Sequence, residues 1–250
     1  REARIAKDLG YDLGLLSMGG LDSLSEKELI ERTKAVAKEI PVFGFYLQPS
    51  VGGRILSYSF WKEFCNIDNV YAIKTAPFNR YHTLEVVRAI CNSKRSEEIS
   101  LYPGNDDNIV LDLISPYVIH TGDRLVQKRF VGGLLGHYAV WTKKSVDLFH
   151  YIKNGLKNKT LDYERILQIA VEITDMNAAI FDVTNNFKGS IAGIHEVLRR
   201  QGLLKGIWCL NPKEKLSEDQ IVEIERVISQ YKKWVDDDYV KEFIDNDRCH

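Results

Sequence analysis

The feature that most constrains this chain is the alternation of short apolar runs with amphipathic helical segments. Leu13–Met18, Pro41–Tyr46, Val70–Ala76 and Ser100–Pro103 read as strands. Helical patterns lie between them, from Ser25 to about Glu39, over 57–66 and over about 83–92. The first opens on Ser25 with Glu28 three residues on, the arrangement of a capping box. Strands separated by helices of about 10–15 residues indicate βαβ units and a parallel sheet. A short helix at Ile109–Ile114 and an irregular stretch to Phe130 then lead to a fifth, glycine-rich strand over Val131–Ala139 and a helix to about Lys153. Beyond it, helical patterns at about 162–182, 190–201 and 217–233 follow with no strand between them, and Ser217 with Gln220 suggests a second capping box.

Short strands with chemistry-bearing residues at their C-terminal ends favour a (β/α)₈ barrel over an open doubly wound sheet. Five strands fall short of the eight such a barrel needs. The chain opens at Arg1 inside a helical pattern that runs to Leu9 and stops at Gly10. The expectation is therefore a (β/α)₈ TIM barrel that is N-terminally incomplete over residues 1–153, with a C-terminal helical appendage over 154–250 that packs on it or carries a subunit contact.

Composition narrows the function classes. A net charge of −1, with no basic run longer than Lys143-Lys144 or Arg199-Arg200, leaves no electrostatic footprint for nucleic acid and little for an anionic membrane. No apolar run reaches membrane-spanning length, and none resembles a signal peptide. The cysteines Cys65, Cys91, Cys209 and Cys249 are scattered without a Cys-x-x-Cys pair and read as reduced cytoplasmic thiols.

Lys74 ends the apolar run Val70-Tyr71-Ala72-Ile73. An ammonium at the end of a buried strand is costly unless it is paired or neutralised, and burial favours the free amine that attacks a carbonyl. A strand-terminal lysine that reaches water along its stem is the plainer alternative. Tyr46 ends the preceding strand, and alternation puts Val42, Gly44 and Tyr46 on one face. If the two strands are neighbours in a barrel, Tyr46 and Lys74 stand side by side at its C-terminal rim, where amine and phenol together can form a Schiff base and shuttle its protons.

At these residues the chain resembles the dihydrodipicolinate synthase / N-acetylneuraminate lyase superfamily of class I aldolases. The resemblance rests on Tyr46-Leu47-Gln48-Pro49-Ser50, on Val70-Tyr71-Ala72-Ile73-Lys74, on Gly104-Asn105-Asp106, and on Gly193–Leu198 through Gly202-Leu203-Leu204. It implies a lyase or aldolase acting on a 2-keto acid or sugar-acid substrate, with Lys74 as the Schiff-base lysine and Tyr46 as the proton relay. It further implies that Gly104 and Asn105 line the pocket through backbone groups, that no cofactor or metal is needed, and that the protein is a homo-oligomer, dimer or tetramer. Two features depart from the family pattern. Val51 stands where keto-acid binders carry an arginine, so that Arg54 substitutes only if its loop folds back and is otherwise a solvated arginine. The threonine or serine pair that cradles the substrate carboxylate has no counterpart here. The altered loop after Pro49 leaves open a second reading, a barrel that binds a metabolite or partner without turnover.

Remaining candidates carry less. His137, among Gly132, Gly133 and Gly136, could hydrogen-bond a sugar-acid hydroxyl or be a satisfied core histidine. Trp61 and Trp141 read as packing residues. His195-Glu196 begins a zincin-like pair, but Arg199 occupies the place of the second histidine. Asp236-Asp237-Asp238 reads as a solvated acidic face without the alternating spacing of a calcium loop.

Overall fold

The computed structural model of the chain describes residues 1–247; Cys249 lies outside them. The chain divides into two compact units, one formed by Arg1–Asn105 with Asp112–Leu134, the other by Asp106–Leu111 with Leu135–His250.

In the first unit a helix α1 (Glu2–Asp8) precedes β1 (Gly14–Ser17), α2 (Glu26–Ala37), β2 (Val42–Leu47), α3 (Tyr58–Phe64), β3 (Val70–Ala76), α4 (Arg80–Cys91) and β4 (Ser100–Pro103). The strands form a four-stranded sheet in the order β1-β2-β3-β4, every pair parallel. Ser25 caps α2, its side chain accepting from the Glu28 N–H while the Glu28 carboxylate takes the Ser25 N–H, so the expected capping box is present. Asn79 does similar work for α4, accepting from Tyr81 and His82.

One face of the sheet is packed by helices. Gly44 on β2 lets the Phe64 ring of α3 approach so closely that a Cβ there would lie 2.7 Å from it. Tyr46, Phe60, Trp61 and Phe64 form a buried aromatic cluster with ring centroids 5.1–5.8 Å apart. Such pairs each add about 0.5–1.5 kcal/mol beyond the burial of their area. Trp61 is a packing residue, as expected, and Trp141 is equally buried in the other unit.

Two expectations fail after β4. Val131–Ala139 is not a strand. Phe130 makes a single bridge to Leu101, Val131 and Leu134 each donate one bond back to the β4 segment, and Gly136–Ala139 is a 3₁₀ turn. The glycines serve close packing there: a Cβ at Gly132 would meet the Tyr102 ring at 2.9 Å. Among the described residues the sheet therefore has four strands rather than the expected five. The stretch expected to be irregular after α5 (Ile109–Ile114) is an antiparallel hairpin, β5 (Tyr117–Thr121) and β6 (Arg124–Lys128), packed on α4. Its Gly122-Asp123 turn between two β-rich runs is a hairpin signal that the sequence displays.

The second unit is helical, built from α6 (Thr142–Asn158), α7 (Tyr163–Ile180), α8 (Ser190–Arg200), α9 (Gln220–Gln230) and α10 (Asp237–Asp247). Its core holds Ile152, Ile166, Ile173, Met176, Ile180, Val197, Ile224 and Val227. Arg226 clasps Asp175 through two bonds of 2.8 and 2.9 Å, joining α9 to α7, and Tyr231 donates to the same carboxylate. Ser217 does not cap α9: the helix begins after Asp219, and the Ser217 hydroxyl turns to Asp182 at 2.5 Å. The acidic run is a solvated face at Asp237 and Asp238 but not at Asp236. Asp236 is 4% exposed and accepts from the Lys143 N–H and from Gln201. Trp141, which precedes α6, offers that helix no side-chain cap, so Asp236 supplies one from 93 residues away.

Candidate active site

Register decides which side chains share the surroundings of Lys74. Across β1, β2, β3 and β4, Ser17 pairs with Phe45, Phe45 with Lys74, and Lys74 with Tyr102. Paired residues in a parallel sheet point to the same side, so these four form one row, on the face opposite the helices. A bulge sets this row. Val42 pairs with Val70 but Phe43 pairs with Ala72, leaving Tyr71 without a partner on β2.

The same register separates Lys74 from Tyr46. Tyr46 pairs with Thr75, so it stands on the helix face; it is 0% exposed, its ring lies 5.2 Å from that of Trp61 and 5.9 Å from that of His82, and its hydroxyl faces the Leu56 backbone at 3.4–3.5 Å. The expected side-by-side amine and phenol are therefore not formed. The position beside Lys74 on β2 belongs to Phe45, whose ring centroid lies 4.3 Å from the Lys74 Nζ, a cation–π distance at which the ring face attracts an ammonium.

Gly104 does belong with Lys74. A Cβ at Gly104 would fall 2.6 Å from Lys74 Cε and 2.8 Å from Ala76 Cβ, so the space the lysine stem occupies is the space a side chain at 104 would fill. Below the lysine, Phe43 on β2 and Tyr102 on β4 meet edge to face at 5.1 Å across β3, where the small Ala72 leaves room. Lys74, Phe43, Phe45 and Tyr102 are all half-buried.

Loops at the C-terminal side of the sheet are tied together by the other expected site residues. The Asn105 side chain, fully buried, accepts from the Phe78 N–H at 3.0 Å and donates to Asp112 at 3.1 Å. Asp112 is also fully buried and is paired with Arg80. This network fastens the segment after β3 to the segment after β4. Arg54 donates from one terminal nitrogen to the carbonyls of Leu21 and Leu24 at 3.0 and 2.8 Å, fastening the loop after β2 to the loop after β1. One terminal nitrogen of this half-buried arginine is thus committed to the clasp.

His137 lies in the second unit and resolves to the core reading. It is 3% exposed, with Nδ1 2.8 Å from the Asn177 side-chain oxygen and Nε2 3.3 Å from the Ser145 hydroxyl. Burial pushes its pKa down to about 4, so it is a neutral core histidine near pH 7. Glu196 is likewise structural, bound by Arg199 and Arg200. Among the described residues no group of three or more His, Cys, Asp or Glu side chains is placed to hold a metal ion, and no helix is long and apolar enough to cross a membrane. Cys65, Cys91 and Cys209 are free thiols, with burial pushing Cys65 up to about 12.

No family model matches the chain, and no curated protein matches it by sequence. Solved structures do. Dihydrodipicolinate synthase from Bacteroides thetaiotaomicron superposes with a TM-score of 0.67 over 92% of this chain and 70% of that one, at 16% identity. N-acetylneuraminate lyase from Fusobacterium nucleatum gives 0.65 over 94% of this chain and 69% of the other, at 16% identity. The chain shares the fold of these two enzymes. A 2-keto-3-deoxygluconate aldolase variant from Sulfolobus solfataricus has it too, with a TM-score of 0.63 over 92% of this chain and 68% of that one, at 15% identity. At such identities the likeness is one of fold, and chemistry within a dihydrodipicolinate synthase-like sheet has to be argued from this chain's own residues.

Proposed function

We propose that the chain is a lyase or aldolase of the dihydrodipicolinate synthase type, acting on a 2-keto acid or sugar-acid substrate through a Schiff base at Lys74. The observation that carries this reading is the fit of Lys74 to Gly104, which reserves space for an amine stem in the C-terminal half of a parallel strand. Active sites in barrels built from such strands lie at that end. The free amine adds to the substrate ketone, the carbinolamine loses water, and the resulting iminium is an electron sink for cleavage, condensation or dehydration. The clasp of Asn105 on Phe78 and Asp112 keeps the segments after β3 and β4 in one arrangement, which is what a positioned nucleophile requires.

The test is reduction with borohydride in the presence of pyruvate or a sugar keto acid, followed by peptide mass mapping. A reduced adduct on Lys74 is expected. Adducts on other lysines with Lys74 unmodified would defeat the reading.

A second reading, a metabolite-binding relative without turnover, is favoured by one observation: the neighbour of Lys74 on β2 is Phe45, which has no proton to transfer. Ligand-dependent thermal stabilisation that survives Lys74→Ala, with no substrate consumed by the parent, would select it.

A further inference from the structure

Resting on the Schiff-base reading, we propose that Tyr102 is the proton-transfer residue of the Lys74 site, the part that the sequence pattern assigns to Tyr46. Losing water from the carbinolamine on Lys74 requires a proton delivered to its hydroxyl. The phenol gives its proton to that oxygen, water leaves, and the carbon–nitrogen double bond forms from the nitrogen lone pair. The phenolate is then reprotonated from solvent, so protons and electrons balance without any further reactant.

Three observations carry the assignment. Tyr102 is the in-register neighbour of Lys74 on β4 and shares its face. The Tyr102 ring packs edge to face with Phe43, centroids 5.1 Å apart, and against Gly132, whose lack of a side chain lets the backbone come close to the ring. It is nonetheless half-buried rather than sealed, so a substrate on Lys74 can meet its hydroxyl directly or through one water, whereas Tyr46 is sealed behind the sheet.

The other hydroxyl-bearing side chains on that face of the four strands are less well placed. Ser17 is two strands away from Lys74, and its oxygen accepts the Gly19 N–H at 3.0 Å. Ser100 pairs with Ala72, two residues further from the C-terminal end of the sheet.

The experiment compares Tyr102→Phe, Tyr46→Phe and the parent chain. It follows the rate at which borohydride traps pyruvate on Lys74, across a pH series, with circular dichroism to check folding. Tyr102→Phe keeps the ring against Phe43 and Gly132 and removes only the exchangeable proton. Its maximal trapping rate is expected to fall by ten- to a thousandfold across the pH series while the pyruvate concentration for half-maximal trapping stays within twofold, a split that a packing change alone would not give. Tyr46→Phe is expected to stay within twofold of the parent. A Tyr102→Phe chain that traps within twofold of the parent overturns this assignment and leaves the Schiff-base reading intact. A parent chain that forms no Lys74 adduct overturns the Schiff-base reading and this assignment with it.

Discussion

Lys74 and Gly104 are fitted to each other: the Cβ that Gly104 lacks would lie 2.6 Å from the lysine Cε and 2.8 Å from Ala76 Cβ. The lysine end can swing aside, but the Ala76 Cβ is fixed to its strand. Gly104→Ala is therefore expected to cost about 1–3 kcal/mol by overpacking. It should also slow adduct formation on Lys74 by on the order of a hundredfold, because displacing a reacting group by about 1 Å has that effect. Urea unfolding and the trapping rate measure the two separately. An unchanged trapping rate would remove Gly104 from the site.

Asn105→Ala tests the clasp between the segments after β3 and β4. The change strips the Phe78 N–H of its acceptor and the fully buried Asp112 of a donor. Losing a neutral hydrogen bond costs about 1 kcal/mol and losing one to a carboxylate about 1.5–3 kcal/mol, so a total loss near 3 kcal/mol is expected in denaturant unfolding. Arg80→Gln should cost at least as much, about 3 kcal/mol, because it removes the counter-charge of a carboxylate that is fully buried although the arginine end of the pair is 40% exposed.

His137 sets an acid limit on stability. Its folded pKa is about 4 against an ordinary value near 6.5, so between those values the unfolded chain binds the proton more strongly. Its contribution is complete above pH 6.5 and is lost as pH falls toward 4, by roughly 3 kcal/mol in total. His137→Gln should flatten the unfolding free energy over that window, measured by urea titration at a series of pH values. A slope that persists unchanged would trace the acid sensitivity to other groups.

Asp236 acts as a remote cap for α6. Asp236→Ala frees the Lys143 N–H and the Gln201 amide and is expected to cost about 1–2 kcal/mol. Asp236→Asn, which keeps an acceptor, should recover most of the loss. Thermal unfolding of the two variants distinguishes a cap from a merely acidic surface residue.

The sequence by itself determined the four parallel strands, because each is a short apolar run bounded by helical periodicity and loop residues, and local pattern suffices to form it. The capping box of Ser25 and Glu28 was legible for the same reason: both partners lie within one turn. It also displayed the lysine and the glycine that meet in the site, through motifs of fixed spacing. The side of the sheet that each residue faces was decided only by tertiary structure. A one-residue bulge at Tyr71 sets the register, and a shift of one residue exchanges faces. That is why Tyr46, 28 residues before Lys74, ends among Trp61 and His82 while Phe45 and Tyr102 flank the amine. The partners of Asn105, Arg54, His137 and Asp236 were likewise beyond the sequence, since each is bound to groups 7 to 93 residues away that only the folded chain brings near.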